Sequence, residues 1–312
     1  MTNRVCQALG IKYPIIQGAM QWVSDASLVA SVSEAGGFGV LASADAQKEN
    51  IRVEIKKVKR ATTKPFAVNI TIISQTAKDI LDVAIEEKVP FVVLTAGNPK
   101  PFIPLLKEAG IAFLSVVATV KQAIKMEELG ASVIVVEGQE AGGHIGEMTS
   151  MTFIPQAVAA VNVPIVAAGG IATGHGMAAA FALGAEGIQM GTAFMVSQEC
   201  TIHQNVKDAL IQADSGDSVV TGRKHHHAVR CIANELTKAF ATLDEKNAPV
   251  EDYAAIGKGA TYKASREGDV IHGSVMAGQI VGLVNSEKTT AEIIQDTIAE
   301  YNTVIRQLLE MS

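Results

Sequence analysis

A histidine set among glycines, in the run Glu140-Ala141-Gly142-Gly143-His144-Ile145-Gly146, is the side chain whose type best suits proton movement near neutral pH. Small neighbours leave room for a ligand to approach the imidazole. An isolated histidine is more often a structural one, and it is the glycine frame that sets His144 apart. A metal role is disfavoured. No HxH or HxxxH partner flanks His144, and the other clustered histidines, His225-His226-His227, lie far along the chain. A second constellation is made of glycines. Ala168-Gly169-Gly170 and Gln189-Met190-Gly191-Thr192 end two successive apolar runs, where bare backbone N–H groups can face a phosphate beside a helix start. Gly169-Gly170 alone could equally be a tight turn; with Gly191-Thr192 one unit later, the two read as a phosphate site. The chain has no GxxxxGK[ST] run, and no GxGxxG follows the first strand, which argues against P-loop and dinucleotide-fold chemistry.

These residues need a frame to converge. Short runs rich in Val and Ile recur at 14–18, 38–42, 65–70, 91–96, 112–117, 132–137, 164–169 and 187–192. Segments of helical period fill the gaps, near 24–35, 47–60, 76–87, 101–108, 120–129, 153–161 and 176–183. Each run is apolar throughout rather than alternating, so both of its faces should be buried, as in a parallel sheet covered by helices. Eight strand–helix units predict an α/β fold of the (β/α)8 barrel type with a small added C-terminal subdomain. Repeated ends such as Glu108-Ala109-Gly110 and Leu129-Gly130-Ala131 are helix stops without chemistry. The expected division is a barrel over 1–199, an added subdomain over 200–270, and helices near 275–283 and 291–309 returning to the barrel within 271–312. In such a barrel the site lies at the carboxyl ends of the strands. That is where Gln17-Gly18-Ala19-Met20, Asn69, Thr95-Ala96-Gly97-Asn98, Glu137, Gly169-Gly170 and Gly191-Thr192 fall.

Composition narrows the class. The 312 residues are 48% hydrophobic and 19% charged, with a formal net charge of −6, which is ample for a core and unsuited to bulk attraction to nucleic acid or anionic membrane. Cys6, Cys200 and Cys231 show neither ligand spacing nor a disulfide framework, which suggests a reducing, cytoplasmic setting. No apolar run reaches the roughly 18 residues of a membrane helix, and the start of the chain shows no charged-then-apolar leader.

Together, Gln17-Gly18-Ala19-Met20, the Pro-Phe-x-Val-Asn69 strand, the 140–146 run, Ala167-Ala168-Gly169-Gly170-Ile171 and Gln189-Met190-Gly191-Thr192 resemble the flavin-dependent nitronate monooxygenase superfamily. Thr95-Ala96-Gly97-Asn98-Pro99, His227-Ala228-Val229-Arg230 and the 273–280 segment look closer to its type II enoyl-acyl-carrier-protein reductases. The resemblance covers nearly the whole chain. It implies non-covalent FMN, with Gly18, Ala19 and Met20 against the ring system. Asn69 and Glu137 would bond the flavin or its ribityl chain, and Gly142 and Gly143 would let the backbone approach it. Gly169, Gly170, Gln189, Gly191 and Thr192 fall at the phosphate end, and His144 is the implied active-site histidine. NADH or NADPH is the implied co-substrate, an enoyl group on an acyl carrier protein or a small molecule the implied acceptor. A monovalent cation and a homodimer are further implications. The alternative within the superfamily is oxidation of an alkyl nitronate with oxygen. Where the family often has Gly-Gly-Met this chain has Gly18-Ala19-Met20, and His226 stands where glycine is usual.

An acidic carrier protein needs a basic landing place. Arg223, Lys224, the adjacent histidines and Arg230 are the candidate patch, with Lys258, Lys263 and Arg266 further on; a solvated charged loop is the plainer reading of the same run. Two other classes fit a phosphate-binding barrel. A Schiff-base aldolase would want a lysine at a strand end, and none stands there. A flavin-binding regulator would look the same in sequence, and turnover separates it.

Overall fold

The computed structural model describes residues 3–311 except His226, with the His225 side chain also outside the description. Among the described residues eleven strands are formed: β1 (Ile15–Gln17), β2 (Phe38–Leu41), β3 (Phe66–Thr71), β4 (Phe91–Thr95), β5 (Ala112–Val117), β6 (Val133–Glu137), β7 (Gly143–His144), β8 (Ile165–Ala168), β9 (Gly187–Met190), β10 (Ser218–Thr221) and β11 (Val229–Ile232). Eight of them close a parallel barrel in the order β1-β2-β3-β4-β5-β6-β8-β9, with β9 pairing back to β1. This is the (β/α)8 barrel expected from the eight apolar runs.

The barrel explains why those runs are apolar throughout. One parity of each strand fills the lumen: Ile16, Phe38 and Val40, Ala67, Val93, Leu114, Val133 and Val135, Val166 and Ala168 form one buried cluster. The other parity, including Ile15, Val68, Leu94, Ile134, Ala167 and Ile188, packs under the surrounding helices. Both faces of a strand are therefore dry, and period-two alternation disappears. A short helix, Arg4–Leu9, puts Val5 and Leu9 into the lumen cluster. It was not apparent in the sequence, because six residues carry little periodicity.

The helices keep to their expected places, and two glycines show why their ends hold. Gly130 closes the helix Val120–Leu129 at φ 92°, donating to the carbonyls of Met126 and Glu127. Gly39 sits under the helix Ala26–Glu34, where a Cβ would come within 2.4 Å of the Val29 carbonyl oxygen. The helix Thr290–Glu310 begins with a capping box between Thr289 and Glu292 and packs on the helices Gly174–Ala182 and Ala26–Glu34.

One expectation is corrected, and one strand is added. The segment near 275–283 is not an α-helix; only the 3-10 turn Gln279–Leu283 forms. Its backbone bonds run to neighbouring segments instead: the Ile232 N–H donates to the Val275 carbonyl at 2.8 Å, and Gln279 N–H to Glu140 O at 2.9 Å. The stretch after β6 is also more than a loop. Gly143–His144 pairs antiparallel with β11, which pairs with β10. The resulting three-stranded sheet takes one strand from the barrel loop and two from the 200–270 span. That span also holds the helices Glu235–Lys246, Val250–Gly257 and Ala260–Glu267. Among the described residues no helix is long and apolar enough to cross a membrane.

Candidate active site

The lumen parity of the barrel, continued past the last apolar residue, selects the polar groups of the site. On β3 it runs Ala67, Asn69, Thr71; on β6, Val133, Val135, Glu137; on β9, Gly187, Gln189. Register brings these ends together, with Glu137 beside Ala168 and Ala168 beside Gln189. The candidate glycines lie on the loops that leave the same ends.

One pocket gathers ten of the thirteen candidates: Gly18, Ala19, Met20, Glu137, Gly142, Gly169, Gly170, Gln189, Gly191 and Thr192 all line it. Its enclosed part measures about 100 Å³, the space of about three waters. That suits a phosphate-sized group; a ring system would extend into the barrel mouth above. The N–H groups of Gly169, Gly170, Gly191 and Thr192 have no acceptor among the described residues. Gly169 and Gly170 hold φ of 88° and 76°, which turns successive N–H groups toward one side, as an anion nest requires. The helix that starts at Thr192 is a single turn, Thr192–Met195. Its dipole is accordingly small, and the free N–H groups carry the attraction.

Glu137 is the polar group with an unmet requirement. Its carboxylate makes no hydrogen bond among the described residues. It keeps some accessible surface toward the pocket, yet protein encloses it on the other sides, and that desolvation pushes its pKa up to about 7. A half-buried, unpartnered carboxyl facing a cavity suits a ligand with hydrogen-bonding groups.

Asn69 stands outside the pocket lining, at the top of β3. It is buried, donates to Thr71 Oγ1 at 3.2 Å and accepts from Thr95 Oγ1 at 3.3 Å, while its carbonyl takes the Ser43 hydroxyl. Gly143 and His144 also lie beyond the pocket lining, on β7, and the pairing of His144 with Val229 sets the histidine's place. The residue is exposed overall. Enough protein nevertheless surrounds its ring that burial, and then the neighbouring His227, hold its pKa below the ordinary value. The imidazole is therefore neutral at pH 7 and can donate from one nitrogen while accepting at the other.

The loop from Gly138 to Gly146 is fixed by contacts to which the motif reading gave no role. Glu140 accepts the Ser150 N–H with both oxygens, at 2.9 and 3.0 Å, and the Ser150 hydroxyl at 3.0 Å. It thereby caps the helix Ser150–Ala160, whose own cap residue Thr149 makes no side-chain capping bond to the backbone. Ser150 Oγ also donates to Gly169 O at 2.8 Å, joining the loop to the glycine nest. Gly142 lies against the 273–280 segment so closely that a Cβ would meet the Ala277 carbonyl carbon at 2.7 Å. Gly278 N–H in turn donates to Thr192 Oγ1 at 3.0 Å. No local sequence signal links Glu140 to Ser150 or Gly142 to Ala277, since each pair is made by the fold.

The basic run needs a correction. Arg230 is 4% exposed, so it belongs to the site's frame and not to a surface patch. Its Nε and Nη2 donate to Gln139 O at 3.1 and 3.0 Å, tying β11 to the glycine loop. Arg223 donates to Gln139 Oε1 at 3.1 Å, and Lys224 to the Asp244 carbonyl and, at 2.8 Å, to Asn247 Oδ1; both remain exposed. His226, and the His225 side chain, lie outside the described residues. Among the described residues no cluster of His, Cys, Asp and Glu could hold a metal ion.

A barrel whose strand ends converge on a glycine nest and an unpartnered carboxyl, with a histidine on the adjoining sheet, is a frame suited to a cofactor-assisted enzyme. The family model for nitronate monooxygenase matches residues 2–300, and the chain belongs to that family, whose members are FMN-dependent oxidoreductases. The structure is similar to that of FabK from Thermotoga maritima, with a TM-score of 0.97 and 39% identity over 100% of both chains. It is also similar to nitroalkane oxidase from Streptomyces ansochromogenes, with a TM-score of 0.84 and 25% identity over 98% of this chain and 99% of that one. In sequence, a "Probable nitronate monooxygenase" of Staphylococcus saprophyticus is 30% identical over 98% of this chain and 99% of its own. A Mycobacterium tuberculosis "(3aS,4S,5R,7aS)-5-hydroxy-7a-methyl-1-oxo-octahydro-1H-indene-4-carboxyl-CoA dehydrogenase" is 36% identical over 74% of this chain and 66% of its length.

The residues present fit FMN. The nest offers N–H groups for its phosphate, Glu137 an acceptor or acid for its hydroxyls or ring edge, and Gly18, Gly142 and Gly191 surfaces without side chains.

Proposed function

We propose that this chain is an FMN-dependent reductase of trans-2-enoyl thioesters that consumes NADH or NADPH, with acyl-carrier-protein-bound enoyl groups as its substrate class. The observation that carries the reading is the end-to-end similarity to FabK, an enoyl-acyl-carrier-protein reductase, at 39% identity without gain or loss of any large segment. The name of the Mycobacterium tuberculosis relative, that of a dehydrogenase of a CoA thioester, is in keeping with a thioester substrate.

Bound FMN supplies two-electron chemistry between a nicotinamide and the enoyl group. The net reduction adds a hydride at the β-carbon and a proton at the α-carbon. His144 is the residue assigned to that proton. Its neutral imidazole can hold the thioester carbonyl by an N–H donor or pass a proton to the α-carbon. Arg230 and Glu140 position the loop that carries it. Glu137 and the N–H groups of Gly169, Gly170, Gly191 and Thr192 hold the cofactor. Exposed Arg223 and Lys224 form the reduced basic surface on which an acidic carrier would land. A monovalent cation and a homodimer accompany this reading by resemblance.

The second reading is oxidation of alkyl nitronates, favoured by the family model and by the nitroalkane oxidase structure. The test is anaerobic mixing of the FMN-loaded protein with NADH or NADPH and then crotonyl-CoA, following flavin absorbance. Bleaching by the nucleotide and recovery on adding the enoyl thioester is the expected result. No bleaching, together with oxygen uptake on adding an alkyl nitronate, would overturn it in favour of the second reading.

A further inference from the structure

Beside the cofactor pocket lies a larger cleft that none of the candidate catalytic or cofactor-binding residues enters. It measures about 600 Å³, within the range of small-molecule sites, whereas the glycine pocket encloses about 100 Å³. The two adjoin along the β1 loop: Met20 lines the pocket and Gln21, the next residue, lines the cleft. The far wall comes from the loop after β2 and the helix Lys48–Ala61, and Arg266 closes the cleft from the helix Ala260–Glu267.

The chemistry of the lining is specific. Trp22 is 37% exposed and lies edge-on to Tyr262, with ring centroids 5.0 Å apart. Tyr262 precedes Arg266 by one helical turn, so an aromatic surface and a guanidinium share one face of that helix. Three carboxylates line the cleft, but each is engaged by the protein. Asp25 accepts Ser27 N–H, Leu28 N–H and the Thr201 hydroxyl. Asp45 accepts from Gln21 at 3.2 Å and Ser74 at 3.1 Å. Glu54 accepts Ala26 N–H at 2.9 Å and Lys57 Nζ at 2.7 Å. Lys57 is thus neutralised. Arg266 is not: it donates Nη1 to Thr201 Oγ1 at 3.1 Å and forms no ion pair among the described residues. Its remaining N–H groups are available in the fork that matches phosphate oxygens.

We propose that this cleft binds the adenosine-diphosphate end of a co-substrate, with the diphosphate on Arg266 and the adenine against Trp22, whose ring Tyr262 braces from behind the lining. The inference rests on the reading that the enzyme uses a nicotinamide nucleotide or a CoA thioester. Both carry that same unit, and a ligand seated there has its reactive end beside Met20. A carrier-protein substrate lacks the adenosine and leaves the cleft free.

Trp22 is the one tryptophan of the chain, so its emission reports on this cleft. ADP is titrated into the FMN-loaded protein and followed by Trp22 fluorescence and by calorimetry, neither of which needs turnover. Saturable binding, weakened at least tenfold in Arg266→Glu and partly restored in Arg266→Lys, is the expected result. Absence of calorimetric ADP binding, or binding that Arg266→Glu leaves unchanged, overturns the proposal. Failure of NADH to bleach the flavin would refute the reductase reading while leaving ADP binding to be judged by itself. The KM values of the Arg266→Glu enzyme then separate the sources. A tenfold rise confined to NADH assigns the cleft to the nucleotide, and one confined to crotonyl-CoA assigns it to the thioester.

Discussion

Replacing Glu137 by Gln keeps the shape of the neutral acid and removes its ability to ionise. In the folded protein free of FMN the carboxyl titrates at about 7, against 4.5 for the ordinary group, because burial disfavours the charged form. Between those values the folded state holds a proton that the unfolded chain has released. Wild-type stability therefore falls as pH rises from about 4.5 and stops falling above about 7. At 1.36 kcal/mol per decade the gap corresponds to roughly 3 kcal/mol. Below pH 4.5 both states carry the proton, so wild type and Glu137→Gln should be equally stable. At pH 8 the variant should be more stable by roughly 3 kcal/mol, which is about 6 °C in melting temperature for a chain of this size. The assay is thermal unfolding of the FMN-free proteins, followed by circular dichroism from pH 4.5 to 8.5. Adding FMN should narrow the gap, since a donor on the cofactor relieves the buried charge. A difference between the two proteins that is the same at pH 4.5 and pH 8 would refute the assignment of an unpartnered, desolvated carboxyl.

His144→Ala should retain FMN while enoyl turnover falls by roughly 100-fold or more, the scale of a lost acid–base group; unchanged turnover would make the histidine structural. Gly142→Ala drives a Cβ to 2.7 Å from the Ala277 main chain, which has no rotamer with which to yield, and should weaken FMN at least tenfold in a fluorescence titration. Gly130→Ala is the control: its φ of 92° costs about 1–2 kcal/mol, but nothing lies within 4 Å of the new methyl and FMN affinity should hold. Arg230→Met leaves the Gln139 carbonyl without its two guanidinium donors and should lower stability by roughly 2–3 kcal/mol, with Arg230→Lys recovering only part because an ammonium lacks the fork. Melting temperatures of the three Arg230 forms decide it.

The barrel was legible because its determinants are local. Eight dry strands need eight apolar runs, and the helix stops need residues such as Gly110 and Gly130, which adopt φ of 67° and 92°. The pocket was legible for a related reason: its residues sit at strand ends, and lumen parity is a property of each strand alone. What stayed hidden depends on partners distant in sequence. The 275–283 segment reads as a helix from its apolar spacing, but its backbone is committed to β11 and to Glu140. Gly143–His144 is too short to declare itself a strand until Val229 and Arg230 arrive beside it. Arg230 reads as a surface cation in a basic run, yet β11 turns it inward, and burial follows from a strand pairing no local pattern shows.

That inward turn bears on how the site is assembled. The barrel alone positions Glu137 and the glycine nest, since β6, β8 and β9 carry them directly. His144 is different. Its place is set by β11, and β11 is held to the glycine loop by the Arg230 fork on Gln139 O. The groups proposed for cofactor binding and for proton handling therefore rest on separate structural supports. Loosening β11 should lower turnover before it releases FMN, whereas a change in the nest should release FMN first. Arg230→Met and Gly169→Ala, whose φ of 88° a Cβ strains, should thus separate in their ratio of FMN affinity to residual turnover. If both variants lose the two properties in step, the histidine and the nest form one cooperative unit, and the division drawn from the strand pairing is wrong.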